Sequence, residues 1–147
     1  MKIYLAGSCS FEDRTHMKDS GGFLRNMGYE VYCPFELQIP NAWNMSQEEW
    51  ARKVFDADKK AIEECDLVIM ISVGRESTAG TNWEQGYAYG IGKKIYVFQI
   101  TDKPTSLMTF WGCDKFVNTC FRLIKWDLRK VLEDDRSNVR LCSTILT

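Results

Sequence analysis

The run Leu67–Ile71, Leu-Val-Ile-Met-Ile, carries no polar side chain, and it limits the chain more than any other segment. Successive strand residues point to opposite faces, so such a run must be covered on both sides. Amphipathic stretches flank it. Ser46-Gln-Glu-Glu49 is a capping box opening a helix that runs to about Glu64, and Thr81 to Ile91 reads as a helix closed by Gly92. Lys2–Ala6, Glu30–Tyr32 and Ile95–Ile100 read as further strands. A helix is predicted from about Asp13 to Met27, ending at Gly28, and a last one over Cys120–Leu132. Phe35–Met45 reads as a loop, and the segment after Pro104 has no clear pattern. Strand-helix alternation with short connections predicts an α/β fold: a single-domain, doubly wound, flavodoxin-like (Rossmann-like) parallel sheet of about five strands. In such sheets ligands bind at the carboxyl ends of the strands, so the residues just after each strand carry the interest.

Size and charge narrow the chemistry. At 147 residues and 17.1 kDa, one core and one domain spanning 1–147 are expected. The formal net charge is -1, without the basic excess that a polynucleotide or an anionic membrane surface demands. No stretch reaches the length of a membrane span, and the first apolar run is too short for a signal peptide. The six cysteines are scattered without a CxxC pair, which fits a reduced, cytoplasmic protein. Cys33 and Cys65 adjoin apolar runs, where a thiol packs as a small hydrophobe. There is one histidine, His16, expected at the surface of the first helix. That count disfavours histidine metal sites and most Ser-His or Cys-His charge systems, and leaves carboxylates as the acids and bases. No GxxxxGK[ST] or strand-to-helix GxGxxG is present, so no nucleotide or dinucleotide cofactor is expected, and no metal.

Two carboxylates stand out. On a helix drawn from Trp50, Val54, Ala57 and Ala61 fall within about 40° of Trp50 and define the expected core stripe. Phe55 and Ile62 widen the apolar arc to about 140°, and the charged residues occupy the opposite arc. Asp58 alone lies inside the apolar arc, near 80°. Burial there raises a carboxyl pKa and favours the protonated acid; the alternative is a structural Asp bonded to a loop or a tyrosine. Glu84 lies shortly after the apolar strand. Thr81-x-x-Glu84 matches a capping box, which gives Glu84 a structural role as one option. The other is a carboxylate kept ionised by the helix dipole, facing the ligand crevice. One acid biased toward neutrality and one toward the anion suits cleavage of a glycosidic bond.

Ile3-Tyr-Leu-Ala-Gly-Ser8, the segment from Asp58 through Cys65-Asp-Leu-Val-Ile69, and Ala79-Gly-Thr-Asn-Trp-Glu-Gln-Gly-Tyr-Ala-Tyr-Gly-Ile-Gly-Lys93 together resemble the nucleoside 2-deoxyribosyltransferase family. Ser106-Leu-Met-Thr109 with Trp111-Gly112 extends the likeness, which covers roughly residues 1 to 120. The resemblance implies that Glu84 is the nucleophile forming a covalent deoxyribosyl ester, Asp58 the acid that protonates the leaving base, and Tyr4 the tyrosine that orients the nucleophile. It also implies substrate contacts at Gly80, Ser106 and Met108. Many transferases carry Asp six residues before the nucleophile and Asn where Ser106 stands; this chain has Thr78 and Ser106. The branch of 2′-deoxynucleoside 5′-phosphate N-hydrolases and CMP hydrolases carries small hydroxyl residues there, which bind a 5′-phosphate. Hydroxyls donate to a phosphate that a carboxylate would repel. Ser8 and Ser10 can join that cradle, with Arg14 as a cation; turn and cap chemistry is the alternative for Thr78 and both serines. Trp43 and Phe35, on the long loop, can sandwich a base; a loop staple or a subunit contact is the alternative.

These readings converge on an N-glycosidase acting on a (deoxy)nucleoside 5′-monophosphate. The alternatives are a transferase exchanging bases between unphosphorylated 2′-deoxynucleosides, and a non-catalytic nucleotide-binding module. The resemblance also implies a site shared between subunits. With the apolar Ser106-Leu-Met-Thr-Phe-Trp111 segment, that leads to an expected homodimer or higher homo-oligomer.

Overall fold

The structure, a computed structural model, describes residues 1–8 and 14–145, with side chains to 137. Five strands form one parallel sheet in the order β2-β1-β3-β4-β5: β1 (Lys2–Gly7), β2 (Glu30–Tyr32), β3 (Leu67–Ser72), β4 (Lys94–Gln99) and β5 (Lys115–Asn118). The helices are α1 (Arg14–Asn26), α2 (Gln47–Glu64), α3 (Ala79–Gly90), the short α4 (Leu107–Trp111) and α5 (Ile124–Ile145). This is the doubly wound layout that the alternation predicts.

The two-residue strand period divides the core. Ile3, Leu5, Leu67, Ile69, Ile71, Tyr96 and Phe98 face one layer, against Met17 and Leu24 of α1 and Leu128 and Leu132 of α5. Tyr4, Ala6, Val68, Met70, Ile95 and Val97 face the other, against Ile62 of α2 and Ala88 of α3. Each fully buried aliphatic side chain contributes about 1.5–3 kcal/mol relative to exposure. The alternation also has a functional consequence: it places Tyr4 on the face covered by the two helices that carry Asp58 and Glu84.

The sheet corrects several expectations. Thr78, not Thr81, caps α3: its side chain accepts from Thr81 N. The helix therefore begins at Ala79, with its cap three residues before Thr81, and the Thr81-x-x-Glu84 pattern does not mark its start. α5 begins at Ile124 rather than Cys120 and continues past Leu132 to Ile145. The stretch after Pro104 folds as α4 and β5. His16 is half-buried, with its Nδ1 buried and its ring edge-on to Phe121 at 4.0 Å between centroids. Ser46 does cap α2, accepting from Glu49 N at 3.1 Å.

The largest correction concerns α2. Trp50, expected at the centre of its core stripe, is 46% exposed, and Ile62 is the buried residue of this helix. Length explains it. Eighteen helical residues span about 27 Å, whereas the six residues of β3 span about 20 Å. A crossover helix runs back against its strands, so the surplus first turns of α2 project beyond the carboxyl edge of the sheet. Trp50 and Val54 lie on that overhang and wall a cleft instead of packing in the core.

Candidate active site

Beyond the carboxyl ends of β1 and β3, a cleft of about 620 Å³ is lined by Gly7, Arg14, Phe35, Trp50, Val54, Asp58, Thr78, Gly80, Thr81 and Glu84, with Pro34, Leu37 and Ile39 along its apolar side. A contiguous hollow of about 540 Å³ shares Trp50, Val54, Asp58, Gly80 and Glu84, and adds Phe55 and Trp83. Both volumes suit a small-molecule ligand. A cavity of about 530 Å³ also opens near the amino ends of the strands. There Asp135 is already held by Tyr96, at 2.5 Å, and Lys115, at 2.6 Å, so its carboxylate is committed to structure.

Local structure delivers each acidic group. Glu84 lies in the second turn of α3, because Thr78 is the cap. The loop before this helix is fixed by Gly74, whose φ of +84° favours glycine and whose Cβ would lie 2.9 Å from Pro104 O. Arg75 N donates to the same carbonyl at 2.9 Å. Asp58 is half-buried on α2 and accepts a 2.7 Å hydrogen bond from the Tyr32 hydroxyl on Oδ1. Tyr32 ends β2, opposite Tyr4 in the β1–β2 register, and the two rings stack 5.4 Å apart at 16°.

The electrostatics differ from the expected division of labour. Burial raises Asp58 above the ordinary carboxylate value, opposed by the Tyr32 hydrogen bond. Glu84 is pushed further, up to about 7: burial raises it most, hydrogen bonding from Tyr4 opposes the rise, and the Asp58 charge adds to it. The dipole does not hold Glu84 ionised, because its effect fades beyond the first turn and Glu84 lies past it. Burial, followed by the Glu84 and Asp58 charges, drives the Tyr4 phenol far upward, so it remains a neutral donor. Tyr4 lies close enough to Glu84 to influence its titration, yet their alignment falls short of a complete hydrogen bond. The Tyr4 hydroxyl and Glu84 Oε2 are both buried without an aligned partner. Unsatisfied buried polar atoms are costly.

The other expected residues divide. Arg14, Thr78, Gly80 and Phe35 line the cleft. The Thr78 hydroxyl serves as the α3 cap and meets the Thr81 hydroxyl at 2.8 Å, so its cap role is real even though it faces the cleft. Nothing lies within 4 Å of a Cβ built on Gly80, which leaves the approach open. Ser8 is buried after β1 and is not among the lining residues. Ser10 lies outside the described residues. Trp43 is 82% exposed and away from the cleft; Trp50 takes the aromatic place that Trp43 was expected to fill. Ser106 caps α4 by accepting from Met108 N at 3.2 Å, and Met108 is largely exposed; neither lines this cleft. Tyr32 and Trp50 are the residues that sequence reasoning missed. Among the described residues, no group of three or more His, Cys, Asp or Glu gathers to hold a metal ion, and no helix is long and apolar enough to cross a membrane.

A family model described as nucleoside 2-deoxyribosyltransferase matches residues 3–138. A 2-deoxyribosyltransferase from Bacillus psychrosaccharolyticus is 28% identical with a TM-score of 0.75, over 85% of this chain and 90% of that one. The Clostridium botulinum CMP N-glycosidase shares the fold at 24% identity and a TM-score of 0.63, covering 89% of this chain and 99% of that chain. A conserved protein from Enterococcus faecalis V583 shares it at 19% identity and a TM-score of 0.68, over 88% and 98%. No curated protein matches the sequence closely enough to count as a relative.

Proposed function

Because the chain belongs to the nucleoside 2-deoxyribosyltransferase family, whose enzymes make and break N-glycosidic bonds of nucleosides or nucleotides, we propose that it hydrolyses a (deoxy)nucleoside 5′-monophosphate to free base and sugar 5-phosphate. The observation that carries the choice of substrate is the composition of the cleft wall. Among the described lining residues its only carboxylates are Asp58 and Glu84, and its one cation is Arg14, at the start of α1. Where many transferases carry a sugar-binding Asp, Thr78 caps α3 beside the open backbone of Gly80. Among the described residues, a phosphate placed there meets a helix N-terminus and a guanidinium and no further carboxylate.

In this reading, ionised Glu84 attacks C1′ from one face. The C1′–N bond breaks, its electron pair stays on the base nitrogen, and Asp58 supplies the proton that the base needs to leave. Water then attacks the glycosyl ester, gives a proton to the Asp58 carboxylate and frees Glu84, as in retaining glycosidases. Tyr4, buried against Glu84 and neutral, steadies the carboxylate by donating to it when it is ionised. Phe35, Leu37, Ile39 and Trp50 offer the flat base an apolar wall.

The likeness to the Bacillus psychrosaccharolyticus enzyme favours a second reading, in which a free base replaces water as the acceptor. One assay separates the two. The protein is incubated with dCMP, dUMP, dGMP and the matching nucleosides, with and without adenine, and products are resolved by HPLC. Base release from monophosphates alone supports hydrolysis; base exchange on nucleosides overturns it. The working form is a homodimer or larger. Phe55, Trp83, Leu107, Met108 and Trp111 are exposed apolar groups, and Ser106 and Met108 do not line the cleft of their own chain, which supports their serving a neighbour's.

A further inference from the structure

We propose that Tyr32 is a positioning residue for proton delivery: by donating to Asp58 Oδ1 it confines the acidic proton of Asp58 to Oδ2, the oxygen left for the leaving base. The inference rests on the reading of Asp58 as the acid and extends it to a residue outside the cleft.

The argument is geometric. Tyr32 does not line either hollow of the site, whereas Asp58 lines both. The tyrosine therefore reaches the carboxyl from behind, across 26 residues of sequence, at 2.7 Å. Its ring is not free to swing away. It is stacked at 5.4 Å on Tyr4, which is fully buried, and the β1–β2 register pairs the two residues directly. The phenol remains a donor throughout the neutral range, because burial and the Asp58 hydrogen bond both drive its pKa upward. A carboxylic acid that accepts a fixed O–H on one oxygen keeps its own proton on the other. Without the phenol, the carboxyl can turn and present the wrong oxygen to the base. Stacking extends the logic: two tyrosines on adjacent strands, held ring to ring, address one carboxylate each, Tyr4 beside Glu84 and Tyr32 on Asp58.

The test reads the demand for acid catalysis. An ordinary base is compared with a better leaving group of the same shape: dUMP with its 5-fluoro derivative, and dGMP with its N7-methylated form, whose cationic purine departs without protonation. Wild type, Asp58→Asn, Tyr32→Phe and the double variant are measured on each pair. Asp58→Asn should lose roughly 100-fold or more in kcat on the ordinary bases and far less on the activated ones. Tyr32→Phe keeps the ring and its stack, and should lose about 10-fold with the same selectivity for ordinary bases. Added to Asp58→Asn, it should cost little more, because both act on one proton. Equal loss on ordinary and activated bases, no loss at all, or an additive double variant overturns the role of Tyr32. Absence of selectivity in Asp58→Asn itself overturns the assignment of Asp58 as the acid, a different result from failure at Tyr32 alone.

Discussion

The side-chain amide of Gln85 and the carbonyl of Gly112 meet at 2.9 Å, 27 residues apart in sequence. The second hydrogen of the same amide goes to Thr109 O, also at 2.9 Å. Gln85 follows Glu84 directly, so the residue that holds α4 in place is the neighbour of the carboxylate that attacks C1′ in the proposed reaction. Gly112 leaves no slack, since a Cβ there would lie 2.6 Å from Met108 O and 3.3 Å from Gln85 Nε2. Replacing Gln85 with Ala strands two carbonyls, one of them in a buried bond, and should cost about 2 kcal/mol. For a chain of this size that lowers Tm by roughly 4–8 °C, measurable by thermal unfolding. An unchanged Tm would show that the amide is dispensable.

Glu84 weakens the fold it serves. Its folded pKa of about 7 lies above the ordinary 4.5, so the native state binds its proton more tightly than the unfolded chain does. A group raised in this way contributes stability below pH 4.5 and loses it as pH climbs to 7. The loss is at most about 3 kcal/mol by linkage. Glu84→Gln has no charge to bury. Its Tm should exceed that of the wild type by a margin that widens between pH 5 and pH 8, while base release disappears. A margin that stays constant with pH would place the Glu84 carboxyl in water.

The same carboxyl should shape the rate. Attack requires the Glu84 anion and departure of the base requires the Asp58 proton, so kcat/KM should be bell-shaped in pH. Glu84 is the more raised of the two, so the productive state holds its proton on the group of lower pKa, and the falling limb should lie near 7. Both limbs belong to the interacting pair rather than to either residue. Tyr4→Phe removes a donor that favours the Glu84 anion. It should move the falling limb to higher pH. A falling limb at ordinary carboxylate values in the wild type would contradict the buried environment of Glu84.

How much of this could be read from the sequence follows from how local each signal is. Leu67–Ile71 needs only its own five residues to demand cover on both faces, and the layout followed from that. Asp58 was legible because a helical wheel is local and the residue breaks the apolar arc. Trp50 sits on the same wheel and misled it, because no wheel knows that α2 outreaches β3. Glu84 was legible as a candidate but not in its protonation. Thr81 imitates a cap three residues after the true one at Thr78, and that shift moves Glu84 from the dipole's first turn into the second. Tyr32 leaves no trace, since its partner Asp58 is 26 residues away. β5 is four residues long with Lys115 and Asn118 at its ends and half-buried between them, so it lacks the apolar run that marks a central strand.

Assembly can be tested at the exposed apolar face. Trp83 stacks on Tyr87 at 5.1 Å and tilts against Phe55 at the same distance, forming a ready aromatic cluster that is still partly in solvent. Trp111 is 76% exposed on α4. Light scattering should show at least a dimer. Trp111→Lys, at a largely exposed side chain that meets Phe110 edge-on at 5.4 Å, should shift the population toward monomer and lower base release together with it, since Ser106 and Met108 serve a neighbour's cleft in the proposed form. A fully active monomer would remove the shared site.

Thr78→Asp tests the phosphate assignment without disturbing the helix. Thr78 accepts from Thr81 N as the α3 cap, and Asp caps at least as well as Thr. The fold and the position of Glu84 are thereby kept, while a negative charge enters the wall proposed to receive the phosphate. An anion there repels a 5′-phosphate by Coulomb interaction and accepts hydrogen bonds from sugar hydroxyls. The ratio of kcat/KM for a monophosphate to that for its nucleoside should fall by about 10-fold or more, a difference of about 1.4 kcal/mol in transition-state binding. Tm should change little. A ratio that does not move removes Thr78 from the phosphate pocket and shifts the phosphate toward Arg14 alone.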